Sequence, residues 1–452
     1  MRAPGEILLL SCYELGHQPI GLASPLGFLA RAGFAPTAID LAVDPLDEAA
    51  VRRARFIGIS VPMHTALRLG VRVAESVRAW NPTAHLCFFG LYAPLHEAYL
   101  RARGADSILG GEFEAELVAE VERSERGDPR RARSITLQRL DFAVPKRAAL
   151  PGLERYARIV RADGSEGIAG YTEASRGCLH RCRHCPIPPL YDGRFFVVPE
   201  AIVLADVRRQ LAAGASHITL GDPDFLNGPR HGLAILRALH AEFPSLTFDI
   251  TAKIEHLLRH RDLLGELGAL GCLFIVSAVE SLSDRVLAIL DKGHTRSDVA
   301  VAIELTRAAG IALRPSLVPF TPWSTLDDYL DLLGFIDAQS LATALDPVQL
   351  AIRLLVPPGS LLLRHEEMQP HLSALDEAAL TYRWTHPDPR MDLLQREVYR
   401  AVERAAERGD SPTVAIAEVR RLAERAAGRA ETKATLTVSG PLVPHLTEPW
   451  FC

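Results

Sequence analysis

No stretch of this 452-residue chain approaches the roughly twenty consecutive apolar residues that a helix needs to cross a bilayer, which argues against a membrane role. Met1-Arg2-Ala3-Pro4-Gly5-Glu6 leads into a four-residue apolar run, too short and too strand-like for a secretory leader. Internal repeats and low-complexity segments are missing, and so is the GxGxxG phosphate fingerprint, which speaks against a nicotinamide cofactor. Neither sign of charge is in large excess. The formal net charge of −5 is too small for this length to suggest nucleic acid or an anionic membrane as the main partner. Cysteine is sparse, and seven is an odd number, so a reducing cytoplasm fits better than a disulfide framework.

What is present suffices for buried cores: 48% of the residues are hydrophobic, and the length suits about two or three domains. Residues 6–123 alternate short apolar strands (Ile7–Ser11, Thr37–Leu41, Phe56–Val61, His85–Phe89, Ser107–Leu109) with helical stretches, the pattern of a doubly wound parallel sheet. Ligands of such sheets sit beyond the carboxyl ends of the strands. The loops there are Cys12–Gly21, Pro62-Met63-His64, Gly90-Leu91-Tyr92 and Gly110-Gly111-Glu112, and Gly21, Gly90, Gly110 and Gly111 would let a ligand approach the backbone. A linker is expected over 124–150, because 121–134 holds five arginines, two glutamates and one aspartate among few apolar residues.

A second strand-helix alternation fills residues 151–370. Its strands are expected at Thr172–Ser175, Ile218–Leu220, Phe248–Thr251, Phe274–Ala278, Ser316–Phe320 and Gln349–Ile352. Polar residues gather where they end: Gly221-Asp222-Pro223-Asp224, Lys253, Glu255, Glu280, Ser281 and Arg353. Six such strands describe a partial barrel whose mouth is the active site. Residues 371–452 are expected to be a helical extension with a redox-like tail, since Leu394, Val398 and Val402 recur every four residues and Ile416, Val419 and Leu422 every three. Trp323, Tyr382, Trp384 and His386 are candidates to line a substrate pocket or to pack in the core.

The densest chemical signal is Arg176-Gly177-Cys178-Leu179-His180-Arg181-Cys182-Arg183-His184-Cys185-Pro186, directly after the first expected barrel strand. Iron–sulfur clusters usually take four thiolates, so three close cysteines can hold three irons of a four-iron cluster and leave the fourth to a non-protein ligand. Zinc completed by His180 or His184 is the alternative, although Cys12, Cys87, Cys272 and Cys452 stand alone in the sequence.

This CxxxCxxC loop, with the ring of His184 before its last cysteine, resembles the signature of the radical SAM superfamily. The resemblance implies a four-iron four-sulfur cluster on Cys178, Cys182 and Cys185, S-adenosylmethionine on the open iron, and release of a 5′-deoxyadenosyl radical. It also implies that Gly221, Asp222 and Asp224 lie at the methionine amino group, and Glu280 and Ser281 at the methionine carboxylate and ribose. A doubly wound domain placed before such a barrel resembles the cobalamin-dependent branch. That implies a cobalamin site at 1–123 involving Gly21, Gly90, Gly110, Gly111 and His17, with His17 either the lower cobalt ligand or a loop and phosphate contact. The stretch from Arg181 to Arg390, together with Thr447-Glu448-Pro449-Trp450-Phe451-Cys452, resembles the CUAEP/CCAEP-tail radical SAM proteins, some of which carry selenocysteine after the first tail cysteine. The expected function is radical methylation of a small molecule, with a flavodoxin or ferredoxin as electron donor. Cobalamin-dependent rearrangement or oxidation, and an iron–sulfur redox protein without radical chemistry, are the alternatives.

Overall fold

The computed structural model describes residues 1–128, 134–431 and 442–447. Its first sheet contains β1 (Ile7–Ser11), β2 (Thr37–Asp40), β3 (Phe56–Ser60), β4 (His85–Phe89), β5 (Ser107–Gly111) and β6 (Ile135–Thr136) in the order β2-β1-β3-β4-β5-β6, all parallel. Every residue of β1, β3 and β5 is buried, as a strand covered on both faces requires. Successive side chains alternate. Ile7 and Leu9 pack with Leu22, Leu26, Leu117 and Val121 from helices Ile20–Arg31 and Glu114–Arg126, while Leu8 and Leu10 pack with Leu67, Val71 and Val77 from helix His64–Trp80. The strand order turns between β1 and β3, which places the loops after these strands at the switch point.

The expected linker is packed structure at several points. Helix Glu114–Arg126 runs into it and β6 adds to the first sheet. Buried Arg147 spans to Asp206 with contacts of 2.7 and 2.8 Å and to Gln18 at 3.0 Å.

The second sheet begins with the antiparallel pair β7 (Arg158–Val160) and β8 (Glu166–Thr172). A short hairpin, β9 (Ser175–Gly177) with β10 (Phe195–Val197), interrupts it. Then β11 (Ala215–Leu220), β12 (Thr247–Thr251), β13 (Cys272–Glu280) and β14 (Ala312–Leu317) continue in parallel from β8, forming a half-barrel. Helices Glu200–Ala212, Pro229–Glu242, Arg296–Ala308 and Leu326–Ala338 cover its outside, and Val207, Leu236, Ile303 and Leu333 share one core with the strand residues Ile218, Ile250 and Ile275.

Three expectations are corrected. The first barrel strand ends at Thr172 instead of starting there. The sixth is a tight turn over Pro347–Ala351, followed by a single parallel bridge from Arg353 to Phe320, because Asp346 caps the Val348 amide and Pro347 has no N–H to give a ladder. The helical extension opens instead with an antiparallel hairpin, β15 (Leu372–Asp376) and β16 (Thr381–Trp384). Helices Pro389–Arg408 and Pro412–Ala426 follow, burying Leu394, Val398, Val402, Ile416 and Val419 against the barrel. A last strand, β17 (His445–Leu446), pairs with β7 at the sheet edge. Cys452 and its neighbours from Glu448 lie outside the described residues. Among the described residues no helix is long and apolar enough to cross a membrane.

Candidate active site at the cysteine loop

β8 carries the chain to the C-terminal edge of the half-barrel, and β9 and β10 clamp the ends of the cysteine loop. The clamp needs glycine at its corner: Gly177 has φ +72°, and a Cβ there would sit 2.4 Å from the Arg194 carbonyl oxygen and 2.6 Å from the Tyr191 ring. Past the corner, the Arg183 amide donates to the Leu290 carbonyl at 2.9 Å and its guanidinium to those of Ala288 and Ile289 at 3.0 and 2.7 Å. The loop is thereby fastened to the C-terminus of helix Asp284–Leu290, where carbonyls lack helical partners.

Cys178 and Cys182 are buried, Cys185 is partly so, and all three are free thiols. Burial pushes the Cys178 thiol up and that of Cys185 up to about 12, and the sulfurs of Cys182 and Cys178 further oppose a charge on Cys185. Sulfurs near enough to disturb one another, in a pocket that disfavours free thiolate, are a donor set that a soft cation deprotonates and binds. The loop therefore fits a metal–sulfur group. The Asn227 amide reaches Cys178 Sγ at 3.6 Å, the kind of contact that tunes a cluster.

Glu280 lies at the end of β13 with φ +64°, left-handed backbone that glutamate seldom adopts. Its Oε1 meets Lys292 Nζ at 3.1 Å and His184 Nε2 at 3.1 Å. Burial would raise its carboxyl, but Lys292 and then His184 overcome that and hold it down to about 2. Lys292 is in turn resisted by burial and raised by Glu280. An ionised pair thus stands against the ring that precedes Cys185. Ser281 beside it accepts from the Ser283 amide at 3.1 Å.

The segment after β11 divides its work. A Cβ on Gly221 would collide with the Tyr171 hydroxyl at 1.8 Å, so the Tyr171 side chain lies against the bare backbone there. Asp222 accepts from the Ala174 amide at 2.9 Å and from the Ser175 hydroxyl, so both its oxygens hold the start of the cysteine loop; burial pushes its carboxyl up to about 7. Asp224 is fully buried; Oδ1 accepts from the Leu226 amide at 3.2 Å, while Oδ2 lies 2.7 Å from His256 Nδ1 and 3.8 Å from His180 Nε2.

Loops of the first sheet reach the same place. Gly90 has φ +112° and leads to Tyr92, a buried phenol raised by burial and, next, by charge on Cys185. Gly110 and Gly111 pack against Pro94 and the Thr136 carbonyl, and Glu112 after them accepts from the Tyr191 hydroxyl at 3.0 Å. Arg176, just before the cysteines, gathers carboxylates from both sheets: Glu114 at 2.7 Å, Glu173 at 2.5 Å and Glu112 at 3.6 Å. Nothing in the sequence pattern marks this network. Gly21 is spaced for Glu14, whose carboxylate accepts from its amide at 3.2 Å, and the buried ring of His17 lies 4.7 Å from the Tyr171 ring. Trp323 and Trp384 are buried in a small core with Val286, Leu290 and Val356.

Residues 172–333 match the family model described as Radical SAM superfamily, and the match begins at the end of β8 and spans the cysteine loop and β11 to β14. The chain carries a radical SAM domain. Such a domain works with a four-iron four-sulfur cluster and S-adenosylmethionine. Over 308 residues the chain is 27% identical to the ribosomal protein uS12 methylthiotransferase RimO of Desulforudis audaxviator, covering 63% of this chain and 61% of that protein. A tRNA-2-methylthio-N(6)-dimethylallyladenosine synthase of Chlorobium chlorochromatii is 27% identical over 40% of this chain and 39% of its own length. The fold around the radical SAM domain is shared with the cobalamin-dependent S-adenosylmethionine radical enzyme OxsB (TM-score 0.64, 14% identity, 88% of this chain, 66% of that one). It is shared too with the methyltransferase TsrM of Kitasatospora setae (TM-score 0.57, 15% identity, 75% of this chain, 71% of that one).

Proposed function

We propose that Cys178, Cys182 and Cys185 hold three irons of the cluster, that the fourth iron takes S-adenosylmethionine, and that cobalamin would be held by the loops beyond the carboxyl ends of the first sheet's strands, for radical methylation of a small molecule. When bound, the cluster supplies the electron that cleaves the sulfonium, and cobalamin the methyl group. The observation that carries this reading is the convergence of the two sheets: Glu112, after Gly111, accepts from the Tyr191 hydroxyl of the cysteine loop at 3.0 Å, and Arg176 at the start of that loop pairs with Glu114 at 2.7 Å. The cobalamin bound in the OxsB and TsrM structures, which share this fold, supports it.

In this reading the chain's own groups position and shield. Lys292 keeps Glu280 ionised, and Glu280 holds His184 and so the Cys185 end of the loop. Glu280 and Ser281 border the methionine carboxylate and ribose, with Gly221 at the amino end. The first sheet closes over the cysteines and keeps water from the radical. Within this reading we place the chain beside the CUAEP/CCAEP-tail proteins, on the resemblance of the stretch from Arg181 to Arg390.

The main test is anaerobic. Protein reconstituted with iron, sulfide and hydroxocobalamin is expected to retain corrinoid absorbance and to form 5′-deoxyadenosine from S-adenosylmethionine and dithionite, and Cys182→Ala to form none. Product made without the cluster, or none made with it, overturns the radical reading. A cluster-active protein that retains no corrinoid overturns the cobalamin part and leaves the first sheet as a docking domain.

A further inference from the structure

One constellation beside the cysteine loop joins Asp224, expected at the methionine amino group, to two histidines that have no place in that chemistry. His180 lies within the loop, Asp224 follows β11, and His256 lies in helix Ile254–Arg259 after β12. One ligand atom from each, an imidazole nitrogen or a carboxylate oxygen, lies within 4.8 Å of the other two. Asp224 Oδ2 and His256 Nδ1 are only 2.7 Å apart, yet neither makes an aligned hydrogen bond, and both are buried. His256 Nε2 faces His180 Nε2 at 3.1 Å, and His180 Nε2 is 3.8 Å from Asp224 Oδ2. Asp224 Oδ2 and His256 Nδ1, buried and without a hydrogen-bond partner, are costly as they stand, and a cation held between them and His180 would satisfy both.

The surroundings have the form of a metal site. Asp224 is turned by its own loop, since the Leu226 amide occupies Oδ1 and leaves Oδ2 toward the rings. His180 Nδ1 faces Glu255 Oε2 at 3.6 Å, a carboxylate behind a ligating imidazole. Lys253 and Arg259 beside the site are already paired with Glu255, at 3.3 and 2.6 Å. His256 and Asp224 are buried, whereas the His180 side chain is 17% exposed, so the group opens to solvent on the loop side.

We infer that His180, Asp224 and His256 form a second metal site, for a divalent first-row ion of the zinc type, next to the cluster at the barrel mouth. Two imidazoles and one carboxylate leave a coordination position free, the pattern of sites that bind or polarise a substrate heteroatom rather than merely brace a fold. Such an ion would hold an anionic or heteroatom-bearing substrate within reach of the cysteine loop, to which Asn227 of the same segment already connects. The site stands whether or not the first sheet holds cobalamin, because none of its ligands comes from that sheet.

The test uses the full-length, cluster-loaded protein, equilibrated with zinc chloride and then passed over a weak chelating resin. Metal analysis is expected to give one zinc per chain in addition to the cluster iron, and zinc-edge absorption a shell of nitrogen and oxygen at about 2.0–2.1 Å without sulfur. His256→Gln and Asp224→Asn are expected to bind zinc at least about tenfold more weakly while keeping their iron. A shell containing sulfur at about 2.3 Å, which would mean zinc in the cysteine loop, overturns the assignment, as does a protein that retains no zinc. Equal zinc binding by wild type and an iron-replete variant overturns it too. If a variant does not fold, the wild-type shell decides alone.

Discussion

At the scale of single residues, the cysteines were legible because their spacing leaves few chemical readings. Their geometry was not, because it depends on residues with no signature of their own. Gly177 is the sharpest case. Its left-handed φ and the backbone oxygen 2.4 Å from any added Cβ mean that no other residue fits without moving β10. Gly177→Ala is expected to cost about 1–3 kcal/mol from the strained backbone alone. Iron content after reconstitution should fall with it, because the displaced strand carries the far end of the loop. Full iron with unchanged thermal stability would show that the clamp does not set the loop. The meeting of His180, Asp224 and His256 was hidden for a different reason: they lie on three segments that only the curl of the sheet brings together.

At the scale of elements, strands with clean apolar runs and turn residues at both ends were readable almost to the residue, β1 and β4 among them. The failures share a cause. Over 372–384 Leu372 and Leu375 are spaced three apart, as on a helical stripe, and it is pairing across the β15–β16 turn that makes the segment extended. At 347–351 the apolar residues look like a strand, but the proline and the Asp346 cap commit the chain to a tight turn.

One element carries an electrostatic load that no propensity reveals. Helix Ile20–Arg31 has Pro19 at its cap position and no capping side chain from it; Glu14 reaches over instead and accepts from the Gly21 amide. Burial, opposed by those amides, pushes the Glu14 carboxyl up to about 8. A carboxyl raised on folding holds its proton more tightly in the native state. Its contribution is therefore most favourable below the unfolded value, near pH 4.3, and is lost as the pH climbs toward 8. Glu14→Gln keeps an oxygen for the amides and removes the titration. The variant should match wild type near pH 5 and exceed it by about 1–3 kcal/mol at pH 8.5 in urea melts. A difference that does not change with pH would mean that Glu14 does not titrate in this range.

At the scale of the whole molecule, the question is what fixes the first sheet over the cysteine loop. The apolar cores are largely separate for the two sheets, whereas Arg176 touches both: Glu173 from the barrel side, Glu114 and Glu112 from the first sheet. Burial raises Glu112 to about 7 and raises Glu173 as well, with Arg176 opposing both shifts. One guanidinium thus compensates three carboxylates, of which Glu112 and Glu114 are buried and Glu173 partly so, and removing it leaves charges in a medium that solvates them poorly. Arg176→Met is expected to destabilise the protein by about 3–5 kcal/mol at pH 8. The loss should shrink toward pH 5.5, because without the arginine the carboxylates take up protons in the folded state and shed the repulsion. Glu112→Gln introduced beside Arg176→Met should restore part of the stability at pH 8, whereas on its own it should cost little. A loss equal at both pH values, with no rescue, would mean that the side chain works by filling space, and that the two sheets are held together by something other than this shared charge.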